Sequence, residues 1–229
     1  MNETLYTAAA LIPALVVAIV FHEVAHGWVA SLLGDPTAKE RKRLSLNPFR
    51  HVDPVGTVIL PGMLALVKAP VFGWAKPVPV IKQRLRNPRF GMMAVAAAGP
   101  GSNLVMAGLA AVVLGLVAPV ADGPEPGLAL GFAVYSLVQF IQINIFLALF
   151  NLLPIPPFDG SHIVEGLLPP SMAAGYEKIR PLGFPLVLLV LVVLPWVIPA
   201  FKPVAWLFET PVRWMIEQYL GLASAVAGV

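Results

Sequence analysis

The chain has no cysteine. That excludes a disulfide framework and any thiolate metal site, so a bound metal would have to rest on histidine or carboxylate ligands. Charge is scarce as well: only 12% of the 229 residues are Asp, Glu, Lys or Arg, against 58% hydrophobic residues. With a mean hydropathy of +0.82, this composition suits an integral membrane protein better than a water-soluble core. The N-terminus lacks the basic region and cleavage site of a signal peptide, so the first apolar run reads as a retained span. Internal repeats and low-complexity segments are absent, and no connection is long enough for a separate soluble domain. The expectation is one membrane-embedded domain over residues 1–229.

What the sequence does have is long apolar runs. Four reach the roughly 20 residues needed to cross a bilayer: 7–33, 92–121, 127–153 and 181–201. A fifth, 54–67, is shorter and broken by Pro61-Gly62. Charge settles how the fifth is used. Lys39, Arg41, Lys42, Arg43 and Arg50 precede it, and Lys68, Lys76, Lys82, Arg84, Arg86 and Arg89 follow it, eleven of the 15 basic residues. Basic loops stay cytoplasmic, so a run between two of them dips in and returns or lies at the interface. The loop 122–126 carries Asp122 and Glu125 and no base, which suits the opposite side. The fold expected is an all-α polytopic helical bundle with about four full spans. To these it adds a re-entrant or interfacial segment at 54–80, with or without short β-strands, and a C-terminal interfacial helix broken near Pro211. The N- and C-termini both lie outside. The basic residues collect in membrane-flanking loops, which argues against nucleic acid as a partner.

The first span contains the segment FHEVAHGWVA, with His22, Glu23 and His26. His22 and His26 are four apart, so on a helix they share one face about 6 Å apart along the axis. Two neutral imidazoles at that spacing can bind one zinc ion. Glu23 points to the side, where it can act as general base on an activated water. An acid inside a span costs about 2.5–3.5 kcal/mol on insertion scales, a cost that favours a functional reading over a surface helix. A zinc site needs a third protein ligand, and the candidates are His51, Asp159, His162 and Glu165. Asp159 lies in FNLLPIPPFDG, where the prolines end the third span and Gly160 allows a tight turn. The first and third spans both run from outside to inside, which carries Asp159 to the half of the membrane that holds His22 and His26. A bare turn at Asp159-Gly160 is the alternative.

With HEVAH in one span and NLLPIPPFDG ending another, the sequence resembles the site-2 protease family of intramembrane zinc metalloproteases (M50-type) in its short form. GDPTA, LNPFRHVDPVGT, FGWAKPVPV and AAAGPGSNL extend the likeness over roughly residues 15–165. The resemblance implies His22, His26 and Asp159 as ligands of one Zn2+ and Glu23 as catalytic base. The substrates it implies are transmembrane proteins met in lipid. It further implies a multi-pass protein of the prokaryotic cell membrane with its active site toward the cytoplasmic half. It also marks Asn103, in Gly99-x-x-x-Asn103, as a polar residue near the cleft: a substrate-binding position or a helix-packing contact. Asn144 and Asn151, seven apart on one face of the third span, carry the same two readings. The PDZ and CBS domains of some branches, and the helix that precedes the HEVAH span in some relatives, have no counterpart here. Substrate identity, regulation and oligomeric state are not written in these motifs.

An extended substrate inside a membrane needs backbone partners. The stretch 55–80 can supply a strand edge or, alternatively, a flap over the site, while Lys76 snorkels to the headgroups. Two other classes remain at this point. One is a metalloprotease with Glu165 as third ligand; the other is a metal transporter, which would show polar residues in several spans where the fourth here has none, or an inert scaffold, which would have no reason to keep Glu23 between the histidines.

Overall fold

The structure, a computed structural model, describes residues 3–67, 73–121 and 127–228. Lys68 and the acidic loop 122–126 lie outside the described residues. Ten α-helices follow one another along the described chain: α1 (Glu3–Leu32), α2 (Thr37–Glu40), α3 (Leu60–Leu66), α4 (Pro88–Ala121), α5 (Leu128–Asn151), α6 (Asp159–Leu167), α7 (Pro170–Lys178), α8 (Arg180–Leu188), α9 (Leu194–Val197) and α10 (Pro203–Ala227). A π-helical turn, Leu189–Val193, joins α8 to α9. Four helices are long and apolar enough to cross a membrane: α1, α4, α5 and the joined segment Arg180–Val197. They match the four runs read from the sequence, and the all-α polytopic bundle is the observed architecture.

α1, α4 and α5 make the centre. Small residues let their backbones approach closely, as helices do where lipid supplies no hydrophobic drive between them. On α1 the buried positions Ala10, Ala14 and Ala18 recur every four residues. On α4, Ala107, Ala110, Ala111 and Leu114 pack with Ile141 and Ile145 of α5 and Ala223 of α10. The outer faces stay apolar: Val105, Leu109 and Leu116 of α4 are exposed, the inside-out pattern of a chain whose solvent is lipid.

Two expectations are corrected. Among the described residues of 54–80 there is no strand; Pro54–Ile59 is a π-helix that runs into α3, and 73–81 is extended without a ladder. Pro77 and Pro79 lack the N–H groups a ladder requires. The Trp74 and Lys76 amides donate instead to the Gly56 and His51 carbonyls. The C-terminal helix is also continuous through Pro211, and it docks lengthwise on α4 and α5 where an interfacial helix is expected. The break does not occur because α10 is held on both sides of Pro211, by Phe208 against α5 and by Tyr219 against α4.

The extended stretch 73–81 is fastened at two carboxylates. The Ile81 amide donates to the fully buried Asp35, which also accepts from the Thr37 amide at 3.0 Å. The Val78 amide donates to Glu23 Oε2 at 2.8 Å.

Candidate metal centre

The site is built from three helices. α1 and α4 lie side by side, and α4 turns three positions four residues apart, Val95, Gly99 and Asn103, toward the two histidines of α1. The Val95 carbonyl lies 2.7 Å from His26 Nδ1. Asn103 Oδ1 lies 2.7 Å from His22 Nδ1. Between them Gly99 leaves room for the rings: a Cβ there would come within 2.4 Å of His26 Cε1 and 2.6 Å of His22 Cε1.

These contacts set the protons. Asn144 Nδ2 donates to the Phe140 carbonyl at 2.8 Å, so its Oδ1 faces Asn103 and accepts from Asn103 Nδ2 at 2.8 Å. Asn103 Nδ2 donates as well to the Ala18 carbonyl. The amide oxygen of Asn103 is therefore the atom turned to His22, and His22 must carry its proton on Nδ1; His26 does the same toward Val95. Both Nε2 atoms are left with lone pairs, and they sit only 3.0 Å apart with no proton to share.

Asp159 completes the group. The prolines at 154, 156 and 157 end α5, and α6 opens at Asp159. At Gly160 a Cβ would meet the Leu152 carbonyl at 2.2 Å, so only glycine lets α6 start this close to the end of α5. Asp159 Oδ2 then lies 3.1 Å from His22 Nε2 and 3.3 Å from His26 Nε2. This oxygen is buried and has no hydrogen-bond donor. Three lone-pair atoms facing one another in a buried site repel unless a cation sits among them. Their edges of 3.0, 3.1 and 3.3 Å suit a shared ion: ligands about 2.0–2.2 Å from a tetrahedral zinc lie roughly 3.3–3.5 Å from one another. Two imidazoles and one carboxylate fit zinc in number and kind, with a fourth position left for water.

The three atoms open onto a cavity of about 670 Å³, whose wall also carries Glu23, Val78, Asn151 and His162. Asn103 and Asn144 do not face it; both are fully buried behind His22. Asn151 lines it while its amide donates to the Leu147 carbonyl. The other candidate ligands stand apart from the cluster. His51 is buried, with Nε2 against the Ser45 carbonyl. Glu165 pairs with Lys82 at 2.5 Å and with Arg180. Burial alone would raise the Glu165 carboxyl, but these two cations hold it below its ordinary value. Burial and the neighbouring Arg180 lower His162 to about 4, so it is neutral at physiological pH.

Residues 10–194 match the family model described as Peptidase family M50. This chain belongs to peptidase family M50. It is 39% identical over 199 residues to "Putative zinc metalloprotease YwhC" of Bacillus subtilis, covering 85% of this chain and 87% of the relative. Rip2 of Mycolicibacterium smegmatis, described in the same words, is 28% identical over 203 residues, or 89% and 71% of the two chains. MJ0611 of Methanocaldococcus jannaschii, again so described, is 31% identical over 147 residues, 64% of each. No solved structure matches the chain.

Sequence reasoning overlooked several groups in this M50 peptidase. Gly99 entered only as part of a motif, although a glycine inside an apolar span, facing paired histidines, is itself a signal of close approach. The carbonyls of Val95 and Ala18 have no signature in side chains. Nor does the amide of Val78, which occupies the carboxylate expected to act as base.

Proposed function

We propose that this M50 peptidase is a zinc metalloendopeptidase that hydrolyses peptide bonds within or near the transmembrane segments of membrane proteins, using one zinc ion held by His22, His26 and Asp159. One observation carries the reading. His22 lies ten residues before the end of α1, about 15 Å along the helix axis, so the cluster sits near the middle of an apolar layer about 30 Å thick. A centre that hydrolyses bonds at that depth is suited to substrates that reside there. The basic loops that follow α1 and precede α4 support a site toward the cytoplasmic half of a prokaryotic cell membrane, within one membrane-embedded domain.

Bound zinc supplies the Lewis acidity that makes water nucleophilic near neutral pH. The chain's own groups do the rest. Glu23, beside the ligands but not among them, takes the proton from the attacking water and passes it to the leaving amine. The Val78 amide occupies one lone pair of Oε2 and orients the carboxylate, while Oε1 stays free to take the proton. Asn144 and Asn103 fix the tautomer and aim of His22, and the Val95 carbonyl does the same for His26. They act as positioning residues rather than substrate-binding ones, while Asn151, on the cavity wall, is left to meet the substrate. A substrate strand along 73–81 would rest mainly on its carbonyls, because Pro77 and Pro79 offer no N–H and the amides of 74, 76 and 78 are already engaged.

The test is cleavage of a single-span substrate by purified protein in liposomes, with and without chelator and with Glu23→Gln. Gln can still accept from Val78, so the variant folds and retains zinc, while its rate falls by about 10²–10⁴. Normal cleavage by Glu23→Gln would falsify the assignment of the base.

A further inference from the structure

α10 packs its apolar face on α4 and α5 through Phe208, Met215, Tyr219 and Ala223. Three contacts set its level. Phe208 lies against Phe150 of α5, with ring centroids 5.6 Å apart. The Tyr219 hydroxyl donates to the Leu104 carbonyl at 3.1 Å. At Gly115 of α4 a Cβ would fall 2.3 Å from the Ala223 carbonyl. α10 therefore runs in the direction of α4, with Ala223 level with Gly115. Equal rise along the two helices then puts Glu217 near the level of Leu109, Arg213 near Val105 and Glu209 near Gly101. All three charges fall inside the apolar run of α4, Glu209 and Arg213 within about 3 Å of the level of Asn103 and Glu217 about 9 Å beyond it.

Glu209, Arg213 and Glu217 recur every four residues and so form one stripe. The stripe is exposed on the side of α10 turned away from the bundle. Among the described residues none of the three side chains makes an ion pair or a hydrogen bond, and none lines the metal-centre cavity. Charged groups at that depth, facing lipid, are unstable without a polar partner.

We propose that this stripe is an interface between two copies of the chain, α10 against α10, inside the membrane. Its charge order is self-complementary. When two α10 helices run parallel about a two-fold axis along the bilayer normal, Arg213 of each copy reaches Glu209 or Glu217 of the other, about 6 Å away along the axis. The stripe continues into Gly221, where a Cβ would have no neighbour within 4 Å, so a second backbone has room to come close. Because the stripe lies away from the cavity, its occupant is a second copy rather than the substrate being cut.

The absence of cysteine makes the test direct. Single-cysteine full-length variants are reconstituted into phosphatidylethanolamine–phosphatidylglycerol liposomes at several protein-to-lipid ratios and oxidised. Ser224→Cys, on the stripe, is expected to give disulfide-linked dimers; Leu207→Cys and Leu222→Cys, on the other exposed side, are not. Arg213→Glu should weaken association roughly 3- to 20-fold, the range of one interhelical polar contact, and adding Glu217→Arg should restore it. Monomers at every ratio, or equal cross-linking at all three positions, overturns the proposal. Cross-linking of Ser224→Cys to an added single-span helix but not to a second copy overturns it too, and gives the face to substrate. The readout is assembly, so failure of the proteolytic reading leaves it standing.

Discussion

Asn103 is the sharpest test of how the metal centre is held. In Asn103→Leu the side chain keeps its branched shape and loses both functions of the amide. His22 Nδ1 then has no acceptor within the 2.7 Å now spanned, and nothing selects the tautomer that leaves Nε2 free. Loss of such an outer partner costs about 10- to 100-fold in metal affinity, or about 1.4–2.7 kcal/mol. Asn103→Asp separates this from a general loss of packing. A carboxylate still accepts from His22 Nδ1 and raises the basicity of the ring, so zinc affinity should stay within a few-fold of wild type. It can no longer donate to Ala18 or to Asn144, whose own amide is fixed by Phe140. Acceptor then faces acceptor in a buried place, at about 1–3 kcal/mol of folding stability. The assay is zinc competition with a chromogenic chelator in detergent, paired with thermal unfolding of the metal-free protein. Leu should lose affinity; Asp should lose stability and keep affinity. Equal zinc affinities for wild type, Leu and Asp would show that the asparagine relay does not aim His22.

Other expectations follow from the same geometry. Gly99→Ala drives a methyl group to within 2.4 Å of the His26 ring, and zinc affinity should fall roughly tenfold or more by the same chelator assay. Asp159→Ala should lose zinc by elemental analysis, whereas Glu165→Ala should keep it and lose about 1–3 kcal/mol of stability, because Lys82 and Arg180 are left without their carboxylate in a partly solvated place; the opposite pattern would make Glu165 the third ligand. The folded-state pKa of Glu165 is depressed, so its contribution is fully present above about pH 4.3, the ordinary glutamate value, and disappears as pH falls through the lower folded value. The gap in melting temperature between wild type and Glu165→Gln should therefore close on acidification through that window; a gap that widens would refute the sign.

Much of the site was legible because the membrane acts as a ruler. Spans of known rise turn sequence position into depth, so Asp159 could be matched to His22 and His26 across more than a hundred residues without knowing how the helices are rotated. Rotation decides what stayed hidden. Asn103 and Asn144 are polar residues in apolar helices, and that much is plain from the sequence. Whether they face a cleft or the back of a histidine depends on the turn of α4 about its own axis, which Gly99 and Ala18 fix through backbone approach. The stretch 73–81 was misjudged for a related reason. β-branched residues suggested strand pairing, but its amides are satisfied one at a time by Gly56, His51, Glu23 and Asp35, and no periodic signal records four separate acceptors.

The C-terminal helix shows where composition misleads. Glu209, Arg213 and Glu217 opposite an apolar face read as the water side of an interfacial helix. That reading assumes that charge marks contact with water. The apolar face of α10, however, packs on α4 and α5 from Phe208 to Ala223, and the pairing of Ala223 with Gly115 allows only small groups between the two backbones. Sliding the helix out to the interface would break that pairing and expose the Gly115 and Ala111 surface of α4. In the proposed placement the opposite face holds these charges at depth, and depth turns an ordinary polar stripe into a demand for a partner. If Arg213→Leu combined with Glu209→Leu and Glu217→Leu gave a protein that is a stable monomer in liposomes and unfolds at higher temperature than wild type, the stripe would be a cost borne for assembly. A triple variant that still dimerises would mean that packing at Gly221 and Ser224, not charge, holds the copies together.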